Sequence, residues 1–194
     1  LELYNKEEES EKDRLYKVME EATLYFESNL KGNRGVLEYL KSRGLTDKSI
    51  QDFRIGYAKD DWRELYNYLK KKSFSDGDIE KAGLAKRVEK AKSTESGSPD
   101  SRSESRGIYD RFRGRIMFPI SDSSGRVIAF SGRIFIDDGK SAKYLNSPET
   151  PIFSKSAVLF GLDKAKESIR KNNFAILVEG QMDLILSHQA GYKN

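Results

Sequence analysis

Residues 115–130 read RIMFPISDSSGRVIAF, and this stretch decides the fold. Two apolar runs, at 115–120 and 126–130, flank a segment rich in serine, aspartate and glycine at 121–125. Apolar runs of strand length on either side of such a segment are typical of a β-hairpin. A further strand is expected over residues 133–136, ending at the polar segment 137–139. The middle of the chain therefore predicts antiparallel strands.

The sequence before this hairpin predicts short helices as far as Gly83. Apolar residues recur at three- and four-residue steps along the first of them, namely Leu15, Val18, Met19, Ala22, Phe26 and Leu30. A second helix is expected to end at Gly44, since glycine readily adopts the left-handed conformation that follows a helix. Thr46, Asp61 and Ser75 are suited to cap the helices that come next.

The segment from Glu89 to Gly107 differs from both neighbouring parts. It consists mainly of lysine, serine, glutamate, glycine and proline, with almost no apolar residue. Such a composition cannot bury a hydrophobic core. We expect a flexible loop there.

The last part of the chain predicts helix, strand and helix. Asp163 is expected to cap a helix that runs towards Asn172. The apolar run FAILV at 174–178 follows, and its length and continuity favour a strand that is covered on both faces. Glu179-Gly180 ends that strand, and a helix is expected over 182–190. Because such strands normally lie in parallel sheets, where a neighbouring strand follows the crossover helix, an α/β unit is expected to begin here and to be truncated at Asn194.

Composition restricts the chemistry that the chain can perform. The 194 residues include no cysteine and one histidine, so disulfides, thiolate metal sites and imidazole clusters are excluded. A metal ion would need carboxylate ligands, which favours Mg²⁺ or Mn²⁺. No apolar run approaches the roughly 20 residues that span a bilayer, and no secretion signal is recognised, so a cytoplasmic location without membrane contact is expected.

Basic residues are concentrated around the predicted hairpin. Arg111, Arg113 and Arg115 alternate in sequence, so an extended strand would place all three on one face. Guanidinium groups arranged in this way could bind triphosphates or a nucleic-acid backbone. A solvated strand face next to a core face is the structural alternative.

Further candidates for binding follow the hairpin. Lys143 and Lys155 could neutralise phosphate, and Asn146 could contact a sugar or a base edge. Arg133 follows Ser131-Gly132, where glycine allows a close approach of the backbone. Asn146 also belongs to an Asn-Ser-Pro sequence that makes ordinary turns, so a purely structural role is the alternative.

Glu179 is a candidate catalytic and metal-binding carboxylate. It stands at the carboxyl end of the predicted strand, where ligands of α/β sheets bind. Asp183, one helical turn further on, is an additional candidate for the metal. Glu179 could instead be a helix N-cap or an ordinary surface residue.

Several ordered motifs resemble those of DnaG-type bacterial primases. They are YDRFRGRIMFPI at 109–120, VIAFSGR at 127–133, KYLNSPET at 143–150 with FSK at 153–155, and VEGQMD at 178–183. Upstream, LEYL at 37–40 with RGL at 43–45, and FRIGYA at 53–58, are similar to the segment that precedes these motifs. The resemblance covers most of the chain outside the serine-rich segment.

The resemblance implies a mixed α+β and α/β architecture. Residues 1–172 would form the helical and mixed N-terminal subdomain of a primase polymerase domain, with a short antiparallel hairpin region and a flexible loop at 89–107. Residues 173–194 would be the first strand-helix unit of a truncated Toprim α/β subdomain. In such enzymes the carboxylate that matches Glu179 joins an Asp-x-Asp motif in holding a divalent metal ion. Two departures are Gln181, where the family commonly has tyrosine, and the long 89–107 segment.

The resemblance also implies an activity, which is the synthesis of RNA primers from ribonucleoside triphosphates on a single-stranded DNA template. This chain would bind template and nucleotide but be inactive alone, because part of the metal site is missing. In the family, zinc is bound by an N-terminal domain and the replicative helicase by a C-terminal domain, both absent here. Two alternatives are a Toprim-type nuclease or topoisomerase and a non-catalytic module that binds single-stranded DNA.

Overall fold

The computed structural model describes residues 6–87 and 107–194. The predicted flexible loop, apart from Gly107, lies outside the described residues. The helices are α1 (Lys6–Lys31), α2 (Arg34–Ser42), α3 (Asp47–Asp52), α4 (Glu64–Lys71), α5 (Asp76–Lys81), α6 (Leu162–Asn172) and α7 (Gln181–Gln189). The strands are β1 (Gly56–Ala58), β2 (Ala85–Arg87), β3 (Ile108–Asp110), β4 (Arg115–Ser121), β5 (Val127–Ile134) and β6 (Tyr144–Asn146).

The predicted hairpin is confirmed and forms the centre of a four-stranded antiparallel sheet in the order β1-β4-β5-β6. Asp122 closes its turn, because its carboxylate accepts hydrogen bonds from the backbone N–H groups of Ser124 and Arg126. The prediction of a separate strand over 133–136 is wrong, since β5 continues without a break to Ile134. Strands β2 and β3 form a second, two-stranded sheet.

Helices cover both faces of the central sheet, which explains why β4 and β5 are apolar without strict alternation. Met117 and Phe130 pack with α1, α4 and α5 on one face. Ile116 and Phe118 pack with α2, α3 and Ile185 of α7 on the other. The apolar stripe predicted for α1 is confirmed, because all six of its residues are at most 2% exposed.

Strand β1 interrupts the region that was expected to contain helices alone. It lies so close to α1 that a Cβ atom on Gly56 would be 2.4 Å from the Cβ of Phe26. Only glycine permits this approach of strand to helix. The three-residue strand is too short to show a periodic pattern in the sequence.

Two of the three capping predictions are confirmed. The hydroxyl oxygens of Thr46 and Ser75 accept the N–H groups of Ser49 and Asp78, at the starts of α3 and α5. The prediction for Asp61 is wrong, because its carboxylate accepts from the backbone of Arg63, one residue before α4.

The start of α6 also differs from the prediction. Gly161, in the left-handed conformation with φ of 78°, occupies the N-cap position in place of Asp163. Asp163 lies in the first turn, where its charge is favourable to the helix dipole.

The prediction of a strand covered on both faces at 174–178 is wrong for this chain. The segment follows α6 outside any strand, and Phe174, Ile176 and Leu177 are 57%, 44% and 85% exposed. The backbone N–H of Ile176 donates a hydrogen bond to the carbonyl of Asn194 at 3.1 Å. A strand requires neighbouring strands to satisfy its backbone, and none lies beside this segment in the described part.

Helix α7 is attached to the corner between α2 and α3. The side chain of Gln189 accepts from the backbone of Thr46 and donates to the carbonyl of Gly44, at 2.9 and 2.8 Å. His188 is half-buried, with its ring 5.4 Å from that of Phe53. Within the described ranges, no helix combines the length and apolar character needed to cross a membrane.

Candidate nucleic-acid interface

Strand β6 forms the edge of the central sheet, and its outer side is the centre of the candidate site. Hydrogen bonds join Ile134 to Lys143 and Phe130 to Ser147, on either side of the β6 residues. Because hydrogen-bonded pairs alternate in an antiparallel ladder, the backbone groups of Tyr144 and Asn146 point away from β5. The guanidinium of Arg111 donates to the carbonyl of Asn146 at 2.9 Å, which places this predicted residue at the edge.

Lys155 lies in the same neighbourhood as Arg111. The backbone N–H of Arg111 donates to the carbonyl of Leu84. Gly83, the residue before Leu84, lies against the ring of Pro148. Glu149, which follows Pro148, accepts from the backbone N–H of Lys155 at 3.0 Å. The side chains of Lys143, Asn146 and Lys155 are exposed. The structure therefore places Arg111 against β6, and Lys143, Asn146 and Lys155 within β6 or the segments next to it.

Arg115 does not belong to this exposed group, and the prediction that the three arginines share one strand face is wrong. Gly114 has a φ of 59°, which breaks the extended run between β3 and β4. Arg115 is 7% exposed and its guanidinium donates to the carbonyls of Gly132 and Ala142 at 3.0 and 2.9 Å. Burial and the nearby Arg113 lower the pKa of Arg115. Arg115 thus anchors the segment that leads into β6.

Arg113 faces a different surface, where it lies between two aromatic rings. Its guanidinium carbon is 4.0 Å from the ring centroid of Trp62 and 5.5 Å from that of Tyr109. Trp62 is 64% exposed. Such a cation–π arrangement presents a flat, charged surface to solvent. Trp62, Tyr109 and Arg113 are called the Trp62 patch below.

Asp110 lies beneath the Trp62 patch and is buried. Its two carboxylate oxygens accept the backbone N–H groups of Leu65 and Tyr66 at 2.8 and 2.9 Å, so that Asp110 caps α4. Burial raises the pKa of Asp110 to about 7, although these two donors favour the charged form. Asp110 therefore provides the cap that was expected of Asp61.

Arg133 lies on the face of the sheet that carries α2 and α7. Its guanidinium donates to the hydroxyl of Tyr39 and lies 5.1 Å from the centroid of that ring. In the sheet register, Arg133 pairs with Tyr144, and Ser131 pairs with Asn146. Arg133, Tyr144 and Asn146 therefore extend the polar surface of β6 onto this face, whereas Ser131 is buried.

The amino end of α7 reaches the same face. The side-chain amide of Gln181 donates to the hydroxyl of the fully buried Ser131 at 3.0 Å. Glu179, two residues earlier, and Asp183, on the first turn, both have exposed side chains. A Cβ atom on Gly180 would be 2.9 Å from a carboxylate oxygen of Asp183, so this carboxylate lies over the backbone beside Glu179.

These two carboxylates are a partial donor set for a divalent cation. Hard oxygen ligands suit Mg²⁺, which is commonly bound by one or two carboxylates together with substrate phosphates. In residues 6–87 and 107–194, no three histidine, aspartate or glutamate side chains converge on one point. Glu179 and Asp183 thus fit such an ion only with further oxygen ligands.

Three residues of this region were missed by sequence reasoning. Trp62 and Asp110 depend on contacts between distant segments, for which the sequence has no local signal. Ser147 is fully buried, and its hydroxyl accepts the N–H of Phe130 at 2.9 Å where β6 ends. The Asn-Ser-Pro sequence indicated a turn there, but it did not indicate which side chain would complete the sheet.

Comparison with known proteins identifies relatives across nearly the whole chain. The family described as "DNA primase catalytic core, N-terminal domain" matches residues 25–166. A DNA primase of Clostridium acetobutylicum is 42% identical over 185 residues, which cover 94% of this chain and 27% of that protein. The chain thus spans about a quarter of the length of the curated relatives it matches.

Solved structures agree with this assignment. The RNA polymerase domain of Mycobacterium tuberculosis primase DnaG, in complex with a double-stranded DNA oligomer with a 6-nucleotide overhang, matches with a TM-score of 0.81 and 32% identity. That match covers 93% of this chain and 52% of the solved chain. A DnaG primase catalytic domain bound to ssDNA matches with a TM-score of 0.76 and 33% identity, over 95% and 53% of the two chains. The mixed helix and sheet fold is therefore that of DnaG RNA polymerase domains.

Proposed function

Because the chain belongs to the DNA primase catalytic core family, we propose that it binds the single-stranded DNA template and the incoming ribonucleotide of a primase. The observation that carries this proposal is the group of exposed polar and basic side chains on the outer side of β6. The relatives named above are DNA primases, and one was solved with bound ssDNA. The nuclease or topoisomerase alternative has no support among these relatives.

Two parts of the surface suit two parts of the substrate. Arg111, Lys143 and Lys155 offer positive charge to phosphates, and Asn146 offers a donor and an acceptor to a sugar or base. The Trp62 patch suits stacking against unpaired bases, because every base has a π-face. We infer that the bases of the template strand stack on the Trp62 patch and its phosphates contact the basic side chains beside β6, with the nucleotide triphosphate near the same edge.

The reaction joins two nucleotides when a hydroxyl oxygen attacks an α-phosphate and pyrophosphate leaves. Most of the catalysis in such a reaction is positioning and neutralisation of phosphate charge. Arg111 and Lys143 would hold the phosphates, while Arg115 would keep the segment before β6 in place through its bonds to Gly132 and Ala142.

Glu179, with Asp183 as an additional ligand, is proposed to hold Mg²⁺ or Mn²⁺. When bound, such an ion neutralises charge on the phosphates and lowers the pKa of the attacking hydroxyl. The bond between Gln181 and Ser131 supports this assignment, because it fixes the amino end of α7 against the face that carries Arg133. Zinc binding and contact with the replicative helicase stay predictions from the family resemblance, and cytoplasmic location stays a prediction from composition.

The experiment that tests this function uses the parent primase and a template-dependent primer synthesis assay. Glu179→Gln is expected to abolish primer synthesis while leaving single-stranded DNA affinity unchanged, because it removes only a metal ligand. Arg111→Met is expected to raise KM for nucleotide or template more than it lowers kcat. Lys171→Met, on the exposed face of α6, is the control and should leave both parameters unchanged. Normal primer synthesis by the Glu179→Gln variant would exclude the proposed role of Glu179.

A further inference from the structure

Asp110 connects two elements that are distant in sequence. It is 2% exposed and is the last residue of β3, yet its carboxylate accepts two N–H groups at the start of α4. These groups have no partner within the helix, and Arg63 in the N-cap position makes no side-chain bond to them. The carboxylate of Asp110 thus takes the place of a local cap.

The backbone of Asp110 holds two members of the Trp62 patch. Its N–H donates to the carbonyl of Trp62 at 2.7 Å, and its own carbonyl accepts from the guanidinium of Arg113 at 2.5 Å. Trp62 precedes α4, whereas Arg113 follows β3. The ring and the guanidinium can therefore meet only if α4 and β3 keep a fixed relative position.

We propose that Asp110 is a positioning residue for single-stranded DNA binding, whose carboxylate fixes the start of α4 against β3 so that Trp62 and Arg113 form one surface. The inference rests on the proposed function, since the template is the ligand of this surface. A residue that only stabilised the fold would change the stability of α4 without changing the contact between the Trp62 ring and the Arg113 guanidinium.

The charges around Asp110 make its effect dependent on pH. Burial and the charge of Asp61 raise the pKa of Asp110 to about 7, while the N–H groups of α4 and Arg113 act in the opposite direction. Tyr25 of α1 is a further titratable neighbour, because burial raises its pKa and the charges of Glu64 and Asp110 act in the same direction. A neutral carboxyl has only one strong acceptor oxygen, so protonation should loosen one of the two bonds to α4. Affinity for single-stranded DNA is then expected to fall as the pH drops through 7.

The lone tryptophan of the chain provides the measurement. Trp62 emission reports directly on this surface, because the sequence contains one tryptophan. The full 194-residue chain and its Asp110→Asn variant are titrated with an oligothymidylate at about pH 8, where Asp110 is charged. Asp110→Asn is expected to bind about fivefold more weakly, the effect of losing one of the two hydrogen bonds to α4, and its Trp62 emission should be more accessible to acrylamide.

A matched control separates positioning from general loss of stability. Ser75→Ala removes the cap of the neighbouring helix α5, where Ser75 accepts the N–H of Asp78. It should lower the unfolding midpoint to a similar degree and leave DNA affinity unchanged. The wild-type chain should also show a step in affinity near pH 7 that Asp110→Asn lacks.

The outcomes distinguish this inference from the proposed function. A wild-type chain that does not bind the oligonucleotide overturns the proposed function. A wild-type chain that binds, with Asp110→Asn equal to it in affinity and in pH profile, overturns the positioning role alone. If Asp110→Asn does not fold, Asp110→Ser is tested, since its hydroxyl offers α4 one acceptor atom in place of the two oxygens of the carboxylate. Weaker binding by that variant supports the inference, and unchanged binding overturns it.

Discussion

Replacing Arg115 with methionine is expected to destabilise the fold far more than it weakens DNA binding. The guanidinium donates to the carbonyls of Gly132, Ala142 and Lys143 at 3.0, 2.9 and 3.4 Å, so two of its three bonds are short. A hydrogen bond to a charged group contributes about 1.5–3 kcal/mol, and two would contribute about 3–6 kcal/mol. Ala142 is exposed, and water can replace the bond to its carbonyl. The expected loss in free energy of unfolding is therefore about 2–3 kcal/mol.

Urea denaturation followed by circular dichroism measures this loss, and Arg115→Lys should recover part of it through one remaining donor group. Arg111→Met is the matched variant, because Arg111 is half-buried and donates to a single carbonyl at the sheet edge. It should lose less than about 1.5 kcal/mol of stability but bind single-stranded DNA more weakly. A stability loss below about 1 kcal/mol for Arg115→Met, with an affinity loss equal to that of Arg111→Met, would refute the anchoring role.

Three further predictions concern the elements that support the site. In urea denaturation, Gly56→Ala should lower the free energy of unfolding by about 3 kcal/mol or more, because its Cβ would be 2.4 Å from that of Phe26. The control Gly35→Ala in α2 should leave the free energy of unfolding unchanged or raise it. Ser147→Ala should cost about 1–3 kcal/mol by the same measurement, because the buried N–H of Phe130 loses its acceptor; an unchanged midpoint would contradict this. For Asp110 the folded pKa of about 7 lies above its ordinary value, so its contribution to stability is present at low pH and is lost as the pH rises through 7. Between pH 5.5 and 8 the free energy of unfolding of the wild-type chain should fall by about 2 kcal/mol relative to that of Asp110→Asn. The same pH dependence of unfolding for both chains would exclude the raised pKa.

The elements that the sequence predicted are those whose signals are local. The α1 stripe, the Gly44 helix end, the Thr46 and Ser75 caps and the hairpin each depend on residues within a few positions of one another. Strands β1 and β6 have three residues each, too few for a periodic pattern, and they exist because β4 and β5 offer edges to pair with. The apolar run at 174–178 shows the opposite case, because high apolar content without a neighbouring strand produced no strand.

The candidate site was predictable in its residue types and less so in its geometry. Arg111 contacts β6 at the carbonyl of Asn146, and Lys143 and Lys155 lie in the segments on either side of β6, while their joint role in binding stays a prediction. Arg115 was assigned to phosphate because alternation in sequence was read as alternation on a strand, and the positive φ of Gly114 removes that premise. Trp62 and Asp110 come together through contacts between segments more than 40 positions apart, as the 45-position separation of Leu65 and Asp110 illustrates.

Salt-dependent binding of single-stranded DNA to the 194-residue chain tests the central claim most directly. Fluorescence anisotropy of a labelled oligonucleotide would compare the wild-type chain with a triple methionine variant at Arg111, Lys143 and Lys155. The control is a triple variant at Lys166, Arg170 and Lys171 of α6, with the same change in charge. The β6 variant should bind more weakly, and its logarithmic salt slope should fall by up to about 2, since each lost phosphate contact removes about 0.7. Equal affinity and slope for the wild-type chain and the β6 variant would contradict the claim that this edge binds the template.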